Sequence, residues 1–162
     1  MAYKLIILAP SCGGKSTLMR YFRENTSYHI AETDEEAMNT NGGTWPNNEL
    51  KNNVLVPQTT KEILTRKNVI YFASYIPTAL LLEAKNKNFS VVVLDIPKEE
   101  FIQRNLHRMN EENYDDVSPW FAAQLSDYEQ LKKMGVVDNA IDGNQDIVIV
   151  ANEIERFIKQ KT

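Results

Sequence analysis

The chain has 162 residues, which is enough for one domain with a sizeable hydrophobic core. Hydrophobic residues make up 43% and charged residues 25%, as in ordinary globular proteins, and no apolar run is long enough to cross a bilayer, so we expect no membrane association. The net charge of −4 disfavours tight non-specific DNA binding, which needs a basic face, although a few local positive charges can still hold a nucleic-acid substrate.

Apolar runs alternate with helical patterns along the chain. The five predicted strands are Lys4–Leu8, Tyr28–Ala31, Asn68–Ala73, Ser90–Asp95 and Val136–Ile141. The six predicted helices are Lys15–Glu24, Thr60–Arg66, Pro77–Lys87, Lys98–Met109, Pro119–Met134 and Ile147–Gln160, with Gly135 as a C-cap. Several strands are continuous apolar runs, which is typical of a parallel sheet covered on both faces. The alternation predicts βαβ crossovers and an open α/β sheet.

Two polar segments do not fit this layered core. Residues 39–53 are rich in Asn and Gly around Trp45, and a loop of this length in a compact domain is usually functional or mobile. Residues 110–118 are acidic and lie between two predicted helices. Both are also consistent with solvated surface loops, and Trp45 is consistent either with stacking on a base or with fastening its loop to the body.

The first strand runs into Ala9-Pro-Ser-Cys-Gly-Gly-Lys-Ser-Thr17 and then a helix. Glycines let a loop turn sharply and bring its N–H groups to phosphates, the Lys15 ammonium supplies positive charge, and the Ser16 hydroxyl is a ligand for Mg²⁺. The following helix adds the positive end of its dipole. The pattern departs from G-x-x-x-x-G-K-[ST] only at Ala9. We therefore predict a nucleotide triphosphate site formed by Ser11, Cys12, Gly13, Gly14, Lys15, Ser16 and Thr17.

Cys12 is the only cysteine of the chain. It excludes an internal disulfide bond and agrees with a reducing compartment, so we expect a cytoplasmic location. The thiol could be oxidisable, but a small side chain in the loop is the simpler interpretation.

Ligands of open parallel sheets bind beyond the carboxyl ends of the strands. Asp34, in the acidic run after the second strand, is the candidate general base, because transfer to a hydroxyl needs a carboxylate that accepts its proton. The alternative is that the acidic run only caps the next helix. Asp95, at the end of the fourth strand, is the second choice, as a group near Mg²⁺ or as a cap.

Arg104 and Arg108 are four residues apart on a predicted helix and so share a face. They directly precede the acidic segment 110–118, where a lid is expected. Guanidinium groups suit phosphate oxygens and can neutralise charge that develops during transfer. We predict that both act in catalysis, the alternative being ordinary surface charge offset by neighbouring glutamates.

These residues resemble the small P-loop kinases related to nucleoside monophosphate kinases, over most of the chain. The likeness is carried by the Ala9–Thr17 loop, the acidic turn after strand two, Arg104-x-x-x-Arg108 and the ending Val137–Asp142 before a helix. It implies a P-loop NTPase three-layer sandwich with sheet order 2-3-1-4-5, Mg²⁺-ATP as donor and arginines on a lid. Residues 1–162 would form a single domain with an acceptor-region insertion at about 35–67 and a lid at about 104–118.

The N-terminal third is most similar to 5′-polynucleotide kinase domains, in which an Asp after strand two is the base, and Asp34 corresponds by position. Bacteriophage kinases of hydroxymethylated DNA bases belong near this group. Other members differ from the chain. Thymidylate kinases carry Asp-Arg-Tyr or Asp-Arg-His after strand three, where this sequence has Ala73-Ser74-Tyr75. Shikimate kinases carry Asp-x-Asp after strand two and Gly-Gly-Gly after strand three, whereas the only Gly-Gly that follows the phosphate loop is at 42–43.

The expected activity is ATP-dependent phosphotransfer to a hydroxyl of a nucleoside, nucleotide or nucleic acid, including 5-hydroxymethyluracil in DNA. No acidic residue closes the third strand, so Mg²⁺ would rest on Ser16, ATP and water. The alternatives are a nucleoside monophosphate kinase, which needs no base, and an NTP-binding switch that hydrolyses slowly. We expect a monomer or a homodimer.

Overall fold

The computed structural model describes residues 2–162, which form a five-stranded parallel sheet in the order β2-β3-β1-β4-β5. The strands are β1 Lys4–Leu8, β2 Ile30–Glu32, β3 Val69–Ala73, β4 Ser90–Asp95 and β5 Asn139–Asp142. The helices are α1 Lys15–Asn25, α2 Thr33–Thr40, α3 Asn48–Leu50, α4 Val56–Ile63, α5 Thr78–Asn86, α6 Lys98–Glu111, α7 Ser118–Lys133 and α8 Ile147–Lys161. A π-helical segment, Lys51–Leu55, joins α3 to α4. The predicted sheet order is confirmed.

Helices cover both faces of the sheet, because the central strands are apolar on both sides. On β1, Ile6 and Leu8 face a cluster that contains residues of α4, α5 and α7. Leu5 and Ile7 face a second cluster that contains residues of α1 and α8. Each of these four side chains is at most 1% exposed. The three-layer sandwich expected from the sequence is therefore confirmed.

Two predicted strands are displaced. The second begins at Ile30 rather than at Tyr28, whose ring packs edge-on against Tyr3 in the aromatic cluster beneath α1. The fifth begins at Asn139 rather than at Val136. Val136 is buried, but its N–H group bonds the carbonyl of Leu131 and so completes the end of α7. In both regions, packed side chains occur earlier in the chain than the first residue that pairs with a neighbouring strand.

The segment after β2 contains more helix than the sequence suggested. The predicted helix Thr60–Arg66 lies instead at Val56–Ile63, where Pro57 occupies the first turn. Helix α2 was not predicted, and the predicted long loop 39–53 includes the end of α2, the short α3 and the start of the π-helical segment. Gly135 does follow α7 with φ 73°, as expected of a C-cap.

Candidate active site

The loop between β1 and α1 has the strained backbone of an anion-binding cradle. Cys12 and Gly14 have φ values of 61° and 86°, in the left-handed region. A Cβ atom on Gly13 would lie 2.6 Å from the Pro10 carbonyl oxygen, which accepts the Gly13 N–H bond. A side chain at position 13 would therefore distort the loop. Ala9, in place of the usual first glycine, is fully buried and continues the pairing of β1 with β3.

Lys15 stands at the N-terminus of α1 with its ammonium directed to the carboxyl end of β3. Its Nζ donates to Oγ of Ser74 at 2.8 Å. Desolvation lowers the pKa of Lys15 below its ordinary value, while the carboxylates of Glu32 and Asp34 act in the opposite direction. Within residues 2–162 no carboxylate forms a salt bridge with Lys15, so its charge is available to an anion. Ser16 follows on the first turn of α1 and is exposed.

Two carboxylates with different surroundings lie at the carboxyl end of β2. Glu32 is 8% exposed and caps α2 by accepting the Glu35 N–H at 2.9 Å. Its burial raises the pKa of the carboxyl group, and the negative charge of Asp34 adds to the effect. Asp34 instead forms an ion pair with Lys51, and its side chain is 43% exposed. The capping role considered for the acidic run thus belongs to Glu32, and Asp34 is left facing the site.

The two arginines of α6 meet the phosphate loop on its other side. Arg104 donates from Nη1 to the Cys12 carbonyl at 3.2 Å and from Nε to Glu100 at 2.8 Å. Arg108 donates from Nη1 to the Cys12 sulfur at 3.2 Å and lies 4.1 Å from the ring centroid of Tyr114. They share a face, as the spacing predicted, and that face contacts the loop. Their part in catalysis stays a prediction.

The connection from α6 to α7 is fixed at one end. The buried side chain of Asn105 donates to Oδ1 of Asp116 at 2.7 Å and accepts the Val117 N–H at 3.0 Å. The bond from Asn105, together with those from Ser118, lowers the pKa of the Asp116 carboxyl. At the other end, the N–H groups of Glu112 and Tyr114 both donate to the Arg108 carbonyl, and the Tyr114 ring lies against the Arg108 guanidinium. Any lid movement of segment 110–118 would therefore have to release these contacts or turn on the end that Asn105 holds.

Gln124 on α7 is a contact that the sequence analysis missed. Its Oε1 accepts the Ser11 N–H at 3.0 Å, and its Nε2 donates to the Ser11 hydroxyl at 3.2 Å. Helix α7 is held there by Phe121, whose ring stacks on Phe101 of α6 with centroids 4.6 Å apart. Gln124 lies one turn beyond Phe121 at the edge of the buried face. That spacing is the only signal of its position in the sequence.

Asp95, the second choice for a metal-associated acid, is engaged elsewhere. Its carboxylate accepts from Lys132 on α7 at 2.8 Å. Within residues 2–162 no group of three or more His, Cys, Asp or Glu side chains could hold a metal ion, and no helix there is long and apolar enough to span a membrane. Coordination of Mg²⁺ by the Ser16 hydroxyl stays a prediction.

A cavity of about 510 Å³ lies at the opposite, amino-terminal edge of the sheet. Its lining includes Lys4 and Lys85, which already bond the Lys87 carbonyl and the Asp138 carboxylate respectively. The charged groups converge instead at the carboxyl edge, where ligands of open α/β sheets bind. We therefore place the candidate active site at the phosphate loop.

Solved structures of small kinases share this architecture. Shikimate kinase from Acinetobacter baumannii, in complex with shikimate, superposes with a TM-score of 0.70 at 20% identity, over 100% of this chain and 96% of that one. Shikimate kinase from Aquifex aeolicus gives 0.69 at 18% identity, over 97% and 96%. A gluconokinase from Sinorhizobium meliloti gives 0.64 at 13% identity, over 98% and 95%. The chain therefore has the fold of the small P-loop kinases.

No protein-family model and no curated protein sequence matches the chain. The identities to the solved structures are low enough that the likeness establishes the fold alone.

Proposed function

We propose that the protein is an ATP-dependent kinase that transfers the γ-phosphoryl group to a hydroxyl of a nucleoside, nucleotide or nucleic acid. One observation carries the proposal. The charges of Glu32, Asp34 and Arg108 all act on the Lys15 ammonium, and Arg108 also contacts Cys12 of the loop at 3.2 Å. Cations for a transferring phosphate and a carboxylate for a hydroxyl proton are thus grouped at the loop.

The donor phosphates would bind the N–H groups of the loop and the end of α1, with Ser16 as the protein ligand for Mg²⁺. The strained loop and the exposed Ser16 hydroxyl fit that role. Bound magnesium would neutralise phosphate charge. Lys15 would pair with the transferring group, and the arginines of α6 would stabilise the charge that develops on it.

Asp34 would accept the proton of the acceptor hydroxyl as its oxygen attacks the γ-phosphorus. The bond from phosphorus to the bridging oxygen of ADP then breaks, and the proton remains on the carboxylate until it passes to solvent. Glu32 is less suited to this role, because its carboxylate is buried and occupied by the cap of α2.

Two features bear on the class of acceptor. The likeness of the N-terminal third to polynucleotide kinase domains and the half-exposed ring of Trp45 favour a nucleobase-containing acceptor. Solved structures that the chain resembles are named shikimate kinase and gluconokinase, so shikimate and gluconate belong in the same test.

The test is a product assay with γ-labelled ATP. Acceptors are a 5′-hydroxyl oligonucleotide, DNA containing 5-hydroxymethyluracil, nucleosides, nucleoside monophosphates, shikimate and gluconate. We expect a stoichiometric phosphorylated product with a hydroxyl acceptor. Lys15→Ala should abolish it without unfolding the chain. Release of phosphate with no labelled acceptor would instead indicate an NTP-binding switch.

Asp34→Asn separates the two kinase reactions. With a hydroxyl acceptor, kcat should fall about 10²- to 10⁴-fold, which is the usual effect of removing a positioned acid–base group, and the KM for ATP should stay unchanged. Glu36→Gln is the matched control, because that carboxylate faces Arg66 at 3.6 Å. An undiminished kcat for Asp34→Asn on the best acceptor would favour the monophosphate kinase, whose acceptor is already ionised.

A further inference from the structure

Lys51 lies against Asp34, the candidate base. Its ammonium lies between the carboxylate of Asp34 and the face of Trp45, 5.2 Å from the ring centroid. The Lys51 side chain is only 20% exposed, although it belongs to a polar segment. One side chain thus covers both the candidate base and the most exposed aromatic face beside it.

This contact has a chemical consequence for the proposed base. The ammonium holds a carboxylate oxygen of Asp34 that the hydroxyl proton would need to reach. It also covers a ring face that a planar base would need for stacking. A productive acceptor must therefore move the Lys51 ammonium, and the long, flexible side chain allows this.

The charge of Lys51 also acts on Lys15 of the phosphate loop. It is among the charges that lower the pKa of Lys15, together with that of Arg108. An ammonium that leaves Asp34 at this place needs a new anionic partner, because an unpaired charge in a partly buried site is unfavourable. A neutral acceptor provides no such partner.

We propose that Lys51 and Trp45 form a recognition subsite for an acceptor that carries a phosphate ester beside its reactive hydroxyl. The phosphate takes the ammonium from Asp34, the base stacks on Trp45, and the carboxylate is freed to accept the hydroxyl proton. The acceptor is then a nucleotide or an oligonucleotide rather than a free nucleoside. This inference rests on the proposed kinase activity and on Asp34 as its base.

The experiment compares matched acceptors that share a free 5′-hydroxyl: thymidine, thymidine 3′-monophosphate and a thymidine dinucleotide. We expect kcat/KM to be higher for both phosphate-bearing acceptors than for thymidine. Lys51→Met should reduce that preference about 10- to 100-fold, which is the effect of one charge-assisted hydrogen bond. The dinucleotide shows whether a diester serves as well as a monoester.

Two controls make the result specific. Lys61→Met removes an exposed lysine of α4 whose charge acts on Glu83. This variant should keep the preference for phosphate-bearing acceptors. Trp45→Ala should raise the acceptor KM, and Trp45→Phe should restore it, because a smaller ring still stacks. If Lys51→Met does not fold, Lys51→Gln tests the same contact. Rising salt should also reduce the preference of the wild-type enzyme for phosphate-bearing acceptors, because salt screens the contact between the ammonium and the phosphate.

The outcomes distinguish the two proposals. If the wild-type enzyme phosphorylates none of the acceptors, the proposed function fails. If turnover depends on Asp34 but the wild-type enzyme does not prefer phosphate-bearing acceptors, or Lys51→Met keeps the full preference, the subsite is refuted and the kinase assignment stands.

Discussion

Arg108 should contribute more to phosphotransfer than Arg104, although both contact Cys12. Nε of Arg104 is bonded to Glu100 and its Nη1 to a carbonyl, so much of its donor fork and charge is already engaged. In residues 2–162, Arg108 contacts a sulfur atom and an aromatic ring, neither of which is a carboxylate. Sulfur is a weak acceptor, so the Arg108 fork is free for a phosphate.

Two charge-assisted hydrogen bonds to the transferring group contribute about 3–6 kcal/mol. At about 1.4 kcal/mol for each factor of ten, Arg108→Ala should lower kcat about 10²- to 10⁴-fold. Arg104→Ala should lower kcat roughly tenfold, since fewer of the Arg104 donors can turn toward the transferring group. The KM for ATP should rise little in either variant, because lid arginines act mainly on transition-state charge.

The assay is ADP release at saturating acceptor, with thermal unfolding to show that each variant is folded. Arg108→Lys keeps the positive charge but loses the two-pronged donor geometry of the guanidinium group. Its kcat should lie between those of the wild-type enzyme and Arg108→Ala. Glu100→Gln releases Arg104 and should leave turnover unchanged or raise it. Equal losses for the two alanine variants, or a larger loss for Arg104→Ala, would refute the assignment of the free charge to Arg108.

Three further changes test parts of the same framework. Glu32→Gln should raise the melting temperature at pH 7.5, because the raised pKa means that the ionised Glu32 carboxylate destabilises the folded state, and glutamine carries no charge. In melting curves recorded over a pH series, the gain should vanish below the ordinary pKa of 4.5, where the carboxyl group is protonated in both states. Gln124→Ala should weaken ATP binding about tenfold in calorimetry, since Ser11 loses two hydrogen bonds; unchanged affinity would mean that the loop is ordered without them. Tyr71→Phe should cost about 1–3 kcal/mol in urea unfolding, because the buried hydroxyl of Thr60 loses its partner, and an unaltered midpoint would contradict this.

The sheet and its helical layers could be predicted because they depend on long apolar runs. The central strands are uninterrupted hydrophobic segments, and the loop after β1 has a recognisable spacing. The predicted starts of two strands are wrong because packed side chains there belong to residues that do not pair with a neighbouring strand. Tyr28 and Val136 are apolar and packed, but both lie outside the ladder. Helix α2 buries only Thr33 and Ala37 and so carries almost no apolar periodicity.

The candidate site was predicted in part, for a related reason. Charged residues at strand ends and on one helix face can be located from spacing, which was enough for Lys15, Asp34 and the arginines of α6. Ser74 and Gln124 are neutral polar residues whose importance depends on what lies opposite them in space. Nothing in their own neighbourhoods in the sequence indicates those partners.

The central place of β1 has a consequence for how the chain folds during synthesis. Its residues 4–8 are made before both of the strands with which they pair, residues 69–73 and 90–93. About 85 residues separate its end from the last of these partners, so at typical rates of translation the strand waits about 4–17 s for its second neighbour. Until then β1 can pair only with β3 and has one open edge, and contacts so distant in sequence slow folding. The strand that carries the phosphate loop therefore presents an unpaired, apolar edge while the rest of the sheet is still being made.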